Sequence, residues 1–285
     1  MRSEPTGAVH VRAFRVGHCT HPACMVLKGA GLQSLCFPSR AYLIHTRVGW
    51  VLWDTGYANH FHDATAHGVY RLYPWVTPVT FEPKDALVAQ LRAHGLAPRD
   101  IHTLVLSHFH ADHVAGLRDF PQARLVCSAE GWNAVRGLRG LGAVRRGFVP
   151  GLLPPDIESR LRFVQACPSV PLPAALHPFT QARDVLGTGE LLVVDLPGHA
   201  PGHLGAFVAA DTGWVLLASD AARVPEGYQQ LRGPSELTFA VQHHRSAYYQ
   251  TLRQLHTLHQ SGQAAIWLTH ESDAPAEPEP LGATA

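Results

Sequence analysis

His108, His110, Asp112 and His113 fall within six residues, in the run Ser107-His108-Phe109-His110-Ala111-Asp112-His113. All four carry metal-binding side chains, and the run follows directly on the apolar stretch Ile101-His102-Thr103-Leu104-Val105-Leu106. A strand that ends in such a cluster presents several donors at one point in space. His108 and His110 lie two apart, so an extended backbone directs both imidazoles to the same side. Asp112 and His113 follow where the chain must turn, and they can face a second point nearby. The run reads as half of a two-metal site, which makes hydrolysis the leading chemistry.

Other predicted strands also lead straight into donor residues. Glu190–Leu196 runs into Pro197-Gly198-His199, Trp214–Ala218 into Ser219-Asp220, and Ala264–Leu268 into Thr269-His270. Parallel placement at one sheet edge would gather His108, His110, Asp112, His113, His199, Asp220 and His270. Two cations need about seven protein groups when a carboxylate and a solvent molecule bridge them. The residue types fit two divalent ions, zinc first, with iron, manganese or cobalt also accommodated.

The elements that must position these groups follow from patterning. Alternating apolar residues predict a strand over Val9–Val16. A loop is expected from Gly17 to Arg40, then a hairpin of Ala41–Thr46 and Gly49–Asp54 that ends in Asp54-Thr55-Gly56. Residues 57–82 are aromatic and proline-bearing, without periodicity. Pro83–His94 reads as a helix stopped by Gly95. Arg124–Cys127 reads as a strand, Ala129–Arg136 as a helix, and the Gly- and Pro-rich stretch 137–182 resists assignment. A second hairpin, Ala206–Ala210 and Trp214–Ala218, is expected around Asp211-Thr212-Gly213, and a long helix over Glu236–His259. The tail from Asp273, mostly Pro, Glu and Ala, is expected to be disordered. The strand-rich blocks at 9–54 and 190–220 resemble each other in layout, which suits a two-sheet core with helices outside.

A length of 285 residues suits one large domain, here taken as 1–272 with a tail at 273–285. The net charge of +1 comes with no basic patch or acidic tail, so neither nucleic acid nor an anionic membrane is an expected partner. The expected partner is a small-molecule substrate. An exposed apolar loop could equally serve a homodimer interface. The five cysteines are odd in number and lack a C-x-x-C pair, and Met1–Gly7 has no apolar core. Both features predict a cytoplasmic protein with reduced thiols. Twenty histidines raise the weight of metal binding. His243, His244, His256 and His259 read as one face of the long helix. His60, His62 and His67, in the aromatic stretch, could serve a lid or contact substrate.

The H-x-H-x-D-H run at 108–113, Pro197-Gly198-His199-Ala200-Pro201-Gly202-His203, Asp220, His270 and the early Asp54-Thr55-Gly56 together resemble the metallo-β-lactamase superfamily of metallo-hydrolases. The matching residues run from about residue 41 to 270. The resemblance implies an α/β fold, a four-layer αββα sandwich of two mixed β-sheets flanked by helices. It implies one metal on His108, His110 and His199, a second on Asp112, His113 and His270, and Asp220 bridging them. Asp54 is expected to support ligand histidines from behind, and His203 to hydrogen-bond within its turn. A metal-bridged hydroxide would attack a carbonyl or phosphoryl centre, with Asp112 orienting it and protonating the leaving group.

Within the superfamily the chain looks most similar to the N-acyl homoserine lactonases, by its size, its ligand set, its Gly17-His18-Cys19 opening and the apolar loop before Ala41. One departure stands out. Those lactonases carry a tyrosine three residues after the bridging aspartate, where this chain has Arg223. Arg223 thus joins Asp112 and Asp220 as a catalytic candidate: it could bind a carboxylate or phosphate, replace the tyrosine as donor, or lie on the surface. A lactone or ester hydrolase is the first reading. A phosphodiester or organophosphate hydrolase is the second, favoured by Arg223, Arg139, Arg145 and Arg146. A mono-iron sulfur-handling oxygenase is the third.

Overall fold

In the computed structural model, which describes residues 9–240 and 242–271, the chain folds into two mixed sheets. The predicted tail from Asp273 lies outside the described residues. The first sheet has the order β4-β1-β2-β3-β5-β6-β7. Its strands are β1 His10–Pro22, β2 Ser34–Thr46, β3 Gly49–Trp53, β4 Val79–Thr80, β5 Ile101–Val105, β6 Arg124–Cys127 and β7 Leu161–Phe163. β1, β2 and β3 pair antiparallel, whereas β3, β5, β6 and β7 run parallel. The second sheet has the order β13-β12-β11-β10-β9-β8. It is built from β8 Ser169–Pro171, β9 Gln181–Asp184, β10 Leu191–Asp195, β11 Leu204–Ala210, β12 Gly213–Ser219 and β13 Ala264–Leu268. Its strands are antiparallel except for the β12/β13 pair.

Three apolar cores account for the layering. Between the sheets lie Tyr42, Ile44, Trp53, Val105, Val126, Val193, Val208 and Leu217. On the outer face of the first sheet, Leu52, Leu104 and Leu125 pack with Leu87, Leu91, Trp132 and Val135 from the helices Leu87–Ala93 and Ala129–Val135. On the outer face of the second, Leu192, Val194 and Leu216 meet Tyr248, Leu252 and Leu255 of the helix Arg245–Ser261. Successive strand residues point to opposite faces, so each sheet is apolar on both and must be covered on both. The expected helix–sheet–sheet–helix sandwich is the result.

Several expectations need correction. The stretch Gly17–Arg40 is mostly strand: β1 continues to Pro22 and β2 begins at Ser34. A bulge between Arg15 and His18 hides this in the sequence, because the extra residue breaks the alternation, and Gly17 supplies the left-handed φ of 75° there. The helix expected from Pro83 is a short 3-10 turn, Pro83–Asp85, followed by Leu87–Ala93. The long helix starts at Arg245, not Glu236, because His244 caps it by accepting from the Ala247 N–H. The donor-bearing strands do not share one sheet edge. β5 belongs to the first sheet and β10, β12 and β13 to the second, so the donors meet where two sheet edges face each other.

Candidate metal centre

After β5 the chain makes one turn of helix, Ala111–Val114, so His108 and His110 leave the strand end while Asp112 and His113 ride the turn. His199 follows β10 in a turn clamped by the long helix. The His243 N–H donates to His199 O at 3.1 Å and the His244 N–H to Gly198 O at 2.9 Å. Gly198 has φ 127°, and a Cβ there would lie 2.2 Å from the Tyr248 nitrogen, so no larger residue fits. Asp220 follows Ser219, whose left-handed φ of 47° is uncommon outside glycine. Trp53 Nε1–H donates to Ser219 Oγ at 2.9 Å and the Thr269 N–H to Ser219 O at 3.1 Å, which hold that conformation.

These elements converge on two groups of donors. His108, His110, His199 and Asp220 offer atoms within 4.8 Å of one another, and so do Asp112, His113 and His270. Asp220 touches both groups: its Oδ2 is 3.2 Å from His199 Nε2 and 3.1 Å from His270 Nε2, and its Oδ1 is 3.3 Å from His113 Nε2. His108 Nε2, His113 Nε2 and Asp220 Oδ1 are buried and have no hydrogen-bond partner. Buried polar atoms are rarely left so, and imidazole and carboxylate atoms that converge in this way fit divalent cations. His110 Nδ1 and His199 Nε2 lie 3.1 Å apart, a further pair of nitrogens that a shared cation would reconcile.

For His108, His113 and His270 the opposite ring nitrogen is engaged by a group that fixes the ring. Asp54 is fully buried at a left-handed φ of 59° and collects three donors. These are the Ser107 N–H at 2.8 Å, Ser107 Oγ–H at 2.7 Å and His113 Nδ1–H at 2.8 Å. With its proton given to Asp54, Ser107 Oγ can accept from His108 Nδ1–H at 3.0 Å. His270 Nδ1–H donates to Pro38 O at 2.8 Å. Thr55 holds the turn itself, its N–H and hydroxyl both donating to His113 O at 2.9 and 2.8 Å. His203 does what was expected of it: Nδ1–H donates to Leu196 O, and Nε2 accepts the Asp220 N–H at 3.2 Å.

Protonation follows from burial and charge. Burial holds His108 and His199 well below the ordinary imidazole value, and His110 and His203 at about 4, so these rings are neutral. His113 goes the other way. Burial opposes its charge, but the carboxylates of Asp112, Asp54 and Asp220 outweigh that and raise it well above the ordinary value. Burial alone would raise Asp112 and Asp220; the charges of His113 and His270 reverse it and hold both low.

Arg223 lies in the centre rather than on the surface, with Nη2 3.8 Å from Asp220 Oδ2. Residues from the stretches 17–40 and 57–82 lie within reach of the centre. Phe37 stands edge-on to the His270 ring at 6.3 Å and also contacts His21. The charges of Asp112 and Arg223 reach both His21 and Tyr73, whose segment forms short helices, His60–Thr65 and Leu72–Val76. His21 and Tyr73 were not singled out from the sequence. Tyr73 had only its place in an aromatic stretch as a signal, and His21 had none. His60 pairs with Asp119, His244 caps the long helix, and the side chains of Arg139 and Arg146 donate to the Leu138 and Ala134 carbonyls. None of these stands among the grouped donors.

A family model described as the metallo-beta-lactamase superfamily matches residues 35–270. A Mycobacterium tuberculosis protein named as a probable metallo-hydrolase is 32% identical over 209 residues, covering 70% of this chain and 61% of that protein. The N-acyl homoserine lactonase AttM of Azorhizobium caulinodans is 29% identical over 195 residues, covering 67% of this chain and 65% of its own. The chain thus spans under two thirds of the length of these curated relatives. A solved N-acyl homoserine lactone hydrolase, with N-hexanoyl-L-homoserine at its catalytic metal centre, aligns with a TM-score of 0.70 at 18% identity. That alignment covers 92% of this chain and 93% of the other. The dizinc lactonase AidC aligns with a TM-score of 0.63 at 12% identity, covering 93% and 88%. These two share the fold.

Proposed function

The chain belongs to the metallo-beta-lactamase superfamily, and from that premise we propose that it is a dinuclear metallo-hydrolase that opens a lactone or ester carbonyl in a small amphipathic substrate. The observation that carries this is the pair of donor groups in which His108 Nε2, His113 Nε2 and Asp220 Oδ1 are buried without a hydrogen-bond partner. His108, His110 and His199 would hold one cation, Asp112, His113 and His270 the other, and Asp220 both. When bound, such cations supply an acidified water and a Lewis acid for the acceptor oxygen.

The chain's own residues do the rest. Asp112 has its side chain 10% exposed, against 1% for Asp220, so it is the carboxylate with access to substrate. It would orient the nucleophile and return a proton to the leaving oxygen. Asp54 and Ser107 keep the Nδ1 protons of His113 and His108 directed outward, which leaves their Nε2 lone pairs inward. His203 and Ser219 fix where Asp220 points. Phe37, edge-on to the His270 ring, would wall one side of the approach.

Names of relatives support the choice of carbonyl substrate, since several are N-acyl homoserine lactonases. A quorum-quenching role would follow if acyl homoserine lactones prove to be substrates. The test is a hydrolysis panel on metal-reconstituted protein with metal analysis alongside: acyl homoserine lactones, aryl esters, a chromogenic phosphodiester and a β-lactam. Two cations per chain with lactone or ester turnover support the reading. Turnover confined to the phosphodiester replaces the substrate class, and one iron with oxygen consumption refutes the reading outright.

A further inference from the structure

At the starts of β5, β6 and β7, the strand ends away from the metal donors, lies a pocket of about 510 Å3. Thr103, Arg124 and Arg162 share one face of the sheet there. Thr103 pairs with Arg124, Arg162 pairs with Val126, and Arg124 and Val126 stand two apart on β6. Arg160, the last residue of the short helix Ile157–Arg160, brings a third guanidinium. No basic run marks this in the sequence, because the arginines come from separate elements. No carboxylate lines the pocket with them. Among the described residues Arg124 and Arg162 make neither an ion pair nor a side-chain hydrogen bond. Arg160 keeps only 11% of its side chain exposed. Its Nε and Nη2 donate to the Ala123 and Phe120 carbonyls, and its Nη1 is buried without a hydrogen bond. Among the described residues its ion pair is to Asp156 Oδ1, long at 3.5 Å, and that carboxylate is 56% exposed. Like charges gathered with so little compensation repel, and a buried N–H without an acceptor is costly. An anion in the pocket would offset both.

We propose that this pocket binds the phosphoryl group of a small polyol phosphate, at a site separate from the metal centre and independent of the hydrolase reading. Guanidinium forks match phosphate oxygens in paired hydrogen bonds. A phosphate monoester carries about −1.5 to −2 charges at neutral pH, which suits several arginines better than a single carboxylate does. The volume lies in the range of small-molecule sites and exceeds the needs of a bare phosphate. Beyond the arginines the lining offers Thr103, Gln122 and Ser159, whose hydroxyls and amide suit the hydroxyls of a polyol. No phenylalanine, tyrosine or tryptophan lines the pocket, so it lacks a stacking platform for a nucleobase.

The test is calorimetric titration of metal-loaded protein at fixed ionic strength, with the denaturation midpoint read alongside. The probes are glycerol phosphate, ribose phosphate, ribose, inorganic phosphate, AMP and tricarballylate. At least one of the two polyol phosphates should bind and raise the midpoint, and ribose should do neither. Arg124→Gln and Arg162→Gln should each weaken binding by about 10- to 100-fold, the worth of a hydrogen bond between charged groups, with metal content unchanged. Arg124→Lys should keep part of the affinity. Neither position touches the metal donors, so a phosphate ester held on the cations would bind all these variants alike, and that result overturns the proposal. So does the absence of binding by both polyol phosphates. Tighter binding of AMP or tricarballylate, or equal binding of inorganic phosphate, overturns the class of ligand assigned. Loss of the exposed Arg124 charge relieves repulsion, so Arg124→Gln should unfold no earlier than the parent in phosphate-free buffer. A lower midpoint there would overturn the premise that these charges stand uncompensated.

Discussion

Asp54→Asn is the most informative substitution, because it changes a charge and almost nothing else. Asparagine has the same shape and tolerates the left-handed φ of 59° that Asp54 adopts. The carboxylate accepts three hydrogen bonds at 2.7–2.8 Å from Ser107 and His113. An amide has one acceptor oxygen and a donor group. If its NH2 faces His113, the ring must accept there and move its proton to Nε2, the nitrogen that faces the other donors. If it faces the Ser107 N–H instead, two donors oppose each other inside the fold. A buried donor left without an acceptor costs about 1–3 kcal/mol. Loss of the group behind a ligand histidine weakens metal binding about 10- to 100-fold, or about 1.4–2.7 kcal/mol. The effect should be selective. The cation expected on Asp112, His113 and His270 should be lost first, while the one on His108, His110 and His199 is retained. Dialysis against graded chelator, followed by metal analysis and denaturant unfolding, reads both quantities. Two cations held at parental affinity in this variant would refute the reasoning, and so would equal loss from both positions.

Asp220→Ala removes the group that touches both donor sets, so occupancy should fall to at most one cation and kcat/KM by more than the hundredfold upper range of an outer change; metal analysis and turnover check it. In metal-free protein the His113 proton, favoured by its carboxylates, contributes stability that is full below about pH 6.5 and is lost as pH rises through the raised folded value. Metal uptake must displace that proton, so affinity should rise with pH and about one proton should be released from His113 at neutral pH; calorimetry in buffers of different ionisation enthalpy measures it. Gly198→Ala places a Cβ 2.2 Å from the Tyr248 nitrogen at a φ of 127°. It should destabilise the fold by about 1–3 kcal/mol or more, seen as a lower denaturation midpoint, and shift His199 enough to weaken metal binding.

Much of the donor set was readable because its chemistry is written in consecutive residues. The 108–113 run needs only a strand before it and a turn after it, and both are local. His199, Asp220 and His270 were readable because each follows an apolar strand, although which sheet each strand joins is a tertiary fact and was misjudged. The Asp54-Thr55-Gly56 turn was visible as a motif, but its use of both the Asp54 carboxylate and the Thr55 hydroxyl to hold His113 emerges only in three dimensions. The approach to the centre was least legible. Residues 17–22 pair with 34–38 past a bulge that breaks the alternation, and that pairing sets His21 beside Phe37, which stands against the His270 ring. Tyr73 sits in a five-residue helix too short to leave a periodic trace. Arg223 was visible only as a departure from a pattern; its place beside Asp220 emerges only in three dimensions.

The distribution of the donors between two sheets bears on how the protein matures. Neither half of the sandwich holds a complete cradle: one half brings His108, His110, Asp112 and His113, and the other brings His199, Asp220 and His270. The group of His108, His110, His199 and Asp220 draws on both halves but not on His270, whereas the group of Asp112, His113 and His270 stays incomplete until the strand before His270 has docked. On the dinuclear reading, the second ion would therefore find its donors only after the two sheets have come together, so occupancy of that position would report on docking of β13.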